Sequence, residues 1–140
     1  MSGENTTNRP SLYYTRDHEW VEFRDGIAYT GVCMFKLLGF REIQQITFTA
    51  APGFKKQGEV LASIRYKDYK IEAHMPVDGV VDALNEELCY GNRNILLQQS
   101  ESNAWIARII PSDPGDTREL MLPRQYHTQG KDRYARQASR

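Results

Sequence analysis

The sequence predicts an all-β domain, a small barrel or sandwich built from short strands. Three observations carry that prediction. An Asp25-Gly26 pair stands between two runs rich in β-formers, a strong hairpin signal. Lys70–Met75 alternates apolar Ile71, Ala73 and Met75 with polar Lys70, Glu72 and His74, the period of a half-buried strand. Glycine and proline turns separate the apolar runs as far as Gly115.

Met1–Pro10 is rich in Ser, Asn, Thr and Gly and has too little apolar content to offset the entropy of ordering, so residues 1–11 are expected to be disordered. Trp20, Val21 and Phe23 lie on the strand entering Asp25-Gly26, and Ile27–Cys33 returns from it. Met34–Leu38 followed by Gly39 predicts one helical turn with a glycine stop. Ile43, Ile46 and Phe48 belong to the next strand, ended by Ala51-Pro52-Gly53. Phe54–Gln57 with Gly58 reads as a polar turn before the strand Val60–Arg65. Tyr66-Lys67-Asp68-Tyr69 is polar at its centre and predicts a hairpin tip. Val77-Asp78-Gly79 turns the chain into Val80–Leu84, and Ile95–Leu97 and Ala104–Ile110 predict two further strands. The run from Pro111 to Gly115 stops the sheet, which sets the β domain at residues 12–116. Residues 117–127 predict a short C-terminal helix, capped by Asp116 or Thr117, with Leu120 and Met121 on its apolar side and Pro123 bending or interrupting it. Residues 128–140 predict a basic, mobile tail.

A chain of 140 residues fits one domain with one core. The mean hydropathy is −0.63, and no apolar run approaches the roughly 20 residues of a membrane span. The N-terminal segment lacks the apolar stretch of a secretory signal, so a cytoplasmic protein is expected. Eighteen basic and eighteen acidic side chains cancel, which argues against a general nucleic-acid binder. The balance is uneven along the chain: residues 1–116 carry 12 basic and 16 acidic groups (net −4), and residues 117–140 carry six and two (net +4). Cys33 and Cys89 cannot make a disulfide framework, and no Cys/His spacing points to a metal. Phosphate-binding glycine loops and nucleophile elbows are absent from the sequence, so no catalytic site is expected.

Several segments in order resemble the glycine cleavage system H-protein family, of the lipoyl/biotinyl-carrier fold. They are Tyr14-Thr15-Arg16-Asp17-His18-Glu19-Trp20-Val21, then Leu37-Leu38-Gly39 and Gly58-Glu59. Met75-Pro76-Val77-Asp78-Gly79, Val80–Leu88, Asn94-Ile95-Leu96 and the run from Ala104 to Pro114 follow. The resemblance covers roughly Leu12 to Tyr126, and the approach to Leu37 from Gly31 looks about two residues short. It implies a barrel-sandwich hybrid with a C-terminal helix, and a carrier rather than a catalyst. A lysine at one hairpin tip would hold lipoic acid, whose arm shuttles an aminomethyl group and electrons between partner enzymes. The resemblance also accounts for Asp17-His18-Glu19 as part of the barrel's opening, without acid–base chemistry.

At the lipoyl position this sequence departs from the family. The family's lysine precedes the proline of the Pro-x-x-Gly turn by about eight residues, and counting back from Pro76 (76 − 8) gives Asp68. The family's acidic residue three places earlier falls on Arg65. An amide to lipoate needs an amine, which a carboxylate cannot supply, so no cofactor is expected at Asp68. The alternative is lipoate on Lys67 or Lys70, its neighbours. Arg65, Tyr66, Tyr69 and Lys70 are the expected partner-binding residues, because tyrosines beside cations suit protein interfaces. Two functions follow: a non-lipoylated H-protein-like paralogue that binds or regulates a protein, such as an enzyme that uses lipoyl carriers; or a working carrier with its arm on Lys67 or Lys70.

Overall fold

The computed structural model describes residues 12–49, 52–90, 92–98 and 104–128. The expected disordered segment and nearly all of the basic tail lie outside them. Nine strands among the described residues form two sheets. They are β1 Leu12–Tyr14, β2 Glu19–Arg24, β3 Ile27–Val32, β4 Gln45–Phe48, β5 Gly53–Lys55, β6 Val60–Tyr66, β7 Tyr69–His74, β8 Gly79–Leu84 and β9 Ala107–Pro111. A six-stranded sheet has the order β1-β2-β3-β9-β8-β5, and a three-stranded sheet the order β4-β6-β7. Every pairing is antiparallel.

The β2–β3 hairpin closes on the predicted pair. Arg24 opposes Ile27, and Asp25 (φ 53°) and Gly26 (φ 82°) take the left-handed conformations that a two-residue turn needs to match strand twist. Gly39, at φ 92°, stops the predicted helical turn, which runs Met34–Leu37.

The core fills the space between the sheets. Val21, Ala28, Val81 and Ile109 of the larger sheet meet Leu61, Ile64, Ala73 and Met75 around the smaller, while Leu37, Ile43, Leu88 and Leu96 close it from the connections. A bulge between Val60 and Ala62 re-phases β6, so consecutive residues Leu61 and Ala62 are both buried. A second cluster joins β1 and β2 to the C-terminal helix. Tyr14 and Tyr126 stack at 4.4 Å beside buried Trp20, and Tyr14 exchanges backbone hydrogen bonds with Met121.

Three sequence expectations are corrected. Phe54–Gln57 was expected as a turn, yet Gly53–Lys55 is an edge strand paired to β8, with Phe54 pointing to solvent opposite Val80. Ile95–Leu97 is not a strand: Arg93–Gln98 is a 3-10 turn that drops Leu96 into the core. The C-terminal helix expected over 117–127 spans residues 123–128 instead. Pro123 does not bend it but begins it, where a missing N–H costs nothing.

Candidate functional site

The β6–β7 hairpin is as tight as two strands can be. Tyr66 pairs with Tyr69 and Arg65 with Lys70, leaving Lys67 and Asp68 as the whole turn. Lys67 takes φ 54°, and its N–H donates to Gln44 Oε1 at 2.8 Å. The Gln44 N–H in turn donates to the Arg65 carbonyl at 2.9 Å. One glutamine therefore fastens the connection before β4 to the hairpin tip through both its backbone and its side chain.

Arg65, Lys67, Asp68, Tyr69 and Lys70 are all exposed there. Tyr66 is not: it was expected beside Tyr69 as an exposed contact residue, and it is 6% exposed. The reason is the strand period, which turns Ile64 and Tyr66 inward and Arg65 outward. Tyr66 lies against Tyr69 (6.3 Å between ring centres) and Phe40 (6.0 Å), and Phe40 also faces Tyr69 at 5.9 Å. Gly39 lies beside the Tyr69 ring, where a Cβ would make an ordinary contact at 3.6 Å, and its φ of 92° is what favours glycine there. The Lys67 ammonium sits 5.3 Å from the Tyr66 ring centre, within cation–π range. The tip is thus a rigid aromatic floor with charged groups around it.

Sequence reasoning missed a second constellation. Glu19, 2% exposed, is held by the Thr15 hydroxyl, which donates to Oε1 at 3.0 Å. Its Oε2 accepts from Lys36 Nζ at 2.7 Å and from the His74 backbone N–H at 3.0 Å, and lies 2.8 Å from His74 Nδ1. Asp17 adds a second carboxylate, 3.2 Å from Lys36 Nζ and 2.5 Å from His74 Nδ1. Glu72 stands 3.7 Å from the other ring nitrogen. The ligand atoms of Asp17, Glu19 and His74 lie within 4.8 Å of one another, so the set has the chemistry to hold a cation. Lys36 already provides one. Only the Asp17/Glu19 pair was visible locally; Lys36 and His74 arrive by folding.

Nearby, His18 Nδ1 pairs with the Tyr126 hydroxyl at 2.9 Å. Burial pushes that hydroxyl's pKa far up, with the Cys33 thiol beside it adding to the shift. These groups fasten the C-terminal helix to the opening loop.

This architecture has known counterparts. The family described as "Glycine cleavage H-protein" matches residues 12–133. The chain belongs to the glycine cleavage H-protein family. A glycine cleavage system H protein of Clostridium botulinum strain Hall is 33% identical over 121 residues, covering 83% of this chain and 88% of its own. A probable glycine cleavage system H protein of Aeropyrum pernix is 26% identical over 118 residues, covering 84% and 82%. The crystal structure of a glycine cleavage system H protein from Mycobacterium marinum superposes with a TM-score of 0.73 over 88% of this chain and 98% of that one, at 16% identity, which shows the shared fold. The H-protein family consists of lipoyl carriers rather than catalysts, and this member takes the two-sheet carrier architecture expected from its sequence. Among the described residues no helix is long and apolar enough to cross a membrane.

Proposed function

We propose that this member of the H-protein family is a non-lipoylated, cytoplasmic protein-binding module that presents its hairpin tip to an enzyme that uses lipoyl carriers. The observation that carries the reading is the identity of the turn. The family count falls on Asp68, one of the two turn residues between paired Tyr66 and Tyr69, and this supports the reading. A carboxylate cannot form the amide that holds lipoate. What remains is an exposed tip carrying Arg65, Tyr69 and Lys70 over a fixed aromatic base, a composition suited to protein contact.

A second reading is favoured by one observation. Lys67 is the other turn residue, exposed and at the apex, and its primary amine has the chemistry for a lipoyl amide. Lys70 lies on β7 opposite Arg65, off the apex, and fits less well. Intact-mass spectrometry of the protein purified from its own host separates the readings. The first expects the unmodified mass; a lipoyl increment overturns it, and loss of that increment in Lys67→Arg assigns the arm to Lys67.

A further inference from the structure

The exposed tip does not end at the hairpin. Leu38 precedes Gly39, which lies against the Tyr69 ring, and these two large apolar residues are among the most exposed of the described chain: Leu38 at 57% and Tyr69 at 53%. Beside Tyr69, half-buried Phe40 and buried Tyr66 form an aromatic base. Around them stand exposed Arg41 and Glu42 from the loop and Arg65, Lys67, Asp68 and Lys70 from the hairpin, four cations against two carboxylates. The chain as a whole is neutral, so this excess of two positive charges is local.

The loop is also held in place. Ile43, buried at its end, donates its N–H to Asn94 Oδ1 at 2.8 Å and accepts from Arg93 Nε at 3.3 Å, while Gln44 is fastened to Lys67 and Arg65. A partner meeting this surface would order little backbone, so the contact keeps most of its free energy.

We infer that Leu38, Tyr69 and the cations Arg41, Arg65 and Lys70 form one composite docking surface for a protein partner that presents an apolar recess bordered by acidic side chains. Apolar and aromatic anchors at the centre with charges at the edge is the distribution that concentrates binding energy in protein interfaces. The net positive rim selects an acidic partner and steers its approach. Glu42 and Asp68, interspersed among the cations, would face a phosphate backbone unfavourably, which sets the surface apart from a nucleic-acid groove. This inference rests on the tip being a protein-binding site, and extends it to a loop of different sequence position with a partner of defined chemistry.

The test begins with a photo-cross-linking amino acid in place of exposed Asp68, beside the anchors, in the full-length protein in its own host. The captured protein is identified, purified and titrated against wild type, Leu38→Ala, Tyr69→Ala, Arg41→Glu, Arg65→Glu and Lys70→Glu. Each variant's thermal midpoint is checked to exclude unfolding. Leu38→Ala, Tyr69→Ala and Arg41→Glu should each weaken binding about tenfold or more, and the wild-type affinity should fall as salt rises from about 0.05 M to about 0.5 M. If Arg65→Glu and Lys70→Glu weaken binding while Leu38→Ala and Arg41→Glu do not, the composite surface is overturned and the tip reading stands. If no variant matters, or no protein cross-links, both fall. Cross-linking to a second copy of this chain overturns the inference. So does tight, variant-sensitive binding of a fluorescent oligodeoxythymidylate.

Discussion

Glu19 Oε2 lies 3.0 Å from the backbone N–H of His74 and 2.8 Å from its ring Nδ1, so one buried carboxylate joins strand β2 of the larger sheet to the outer strand of the smaller. Lys36 Nζ, 2.7 Å away, supplies the compensating charge. A carboxylate is stable at 2% exposure only because each of these donors is in place.

Removing it leaves the Lys36 ammonium and the His74 N–H without their shared acceptor. Glu19→Ala is expected to lower stability by about 3 kcal/mol, the cost of breaking a buried ion pair from one side. Urea denaturation should show a lower midpoint with an unchanged slope; a shift within experimental error would mean water replaces the carboxylate.

Gly31 faces a different constraint. A Cβ there would stand 2.7 Å from the Ala104 carbonyl oxygen and 2.7 Å from Trp20 Nε1, one a backbone atom and the other on a side chain 1% exposed. Neither can withdraw, so Gly31→Ala is expected to cost about 2 kcal/mol. Thermal unfolding of the variant measures it.

Acid should act on Asp116 late. The Arg118 guanidinium, donating at 2.8 Å and 2.9 Å, holds its carboxyl well below the usual carboxylate range, at about 2. A carboxyl depressed in the folded state stabilises above its unfolded pKa, near 4, and loses that contribution as pH falls through the folded value. The thermal midpoints of wild type and Asp116→Asn should therefore differ at neutral pH and converge between about pH 4 and pH 2. The pair is exposed, so the gap is small and shrinks with salt.

Asp68 has an exposed position in the turn. Asp68→Lys should change stability by less than about 0.5 kcal/mol. Incubating the variant with a lipoyl ligase and weighing the product then asks whether Arg65, in place of the family's acid, blocks modification. Ready lipoylation shows that the charge at residue 65 is no obstacle.

The strands that sequence made legible are those with a clean period or a diagnostic turn. Asp25-Gly26 marked its hairpin to the residue, and Ile71, Ala73 and Met75 marked the inner face of β7. Gly53–Lys55 was invisible because three residues cannot show alternation, and Phe54 points outward from an edge. Ile95–Leu97 misled because a three-residue apolar run has no period to separate strand from turn. At the tip, sequence placed Lys67 and Asp68 in the turn but misjudged Tyr66, whose burial depends on Phe40 from a distant loop. The Glu19 network was beyond reach for a similar reason, since Glu19 and His74 are 55 residues apart.

The stack of Tyr14 on Tyr126 has a consequence for biosynthesis. β1 is made well before the groups that cover it, Met121 and Tyr126, which follow it by more than a hundred residues. Until then Trp20 lacks part of its shelter, and the loop that must close spans nearly the whole domain. The first strand of the domain is the last to be covered.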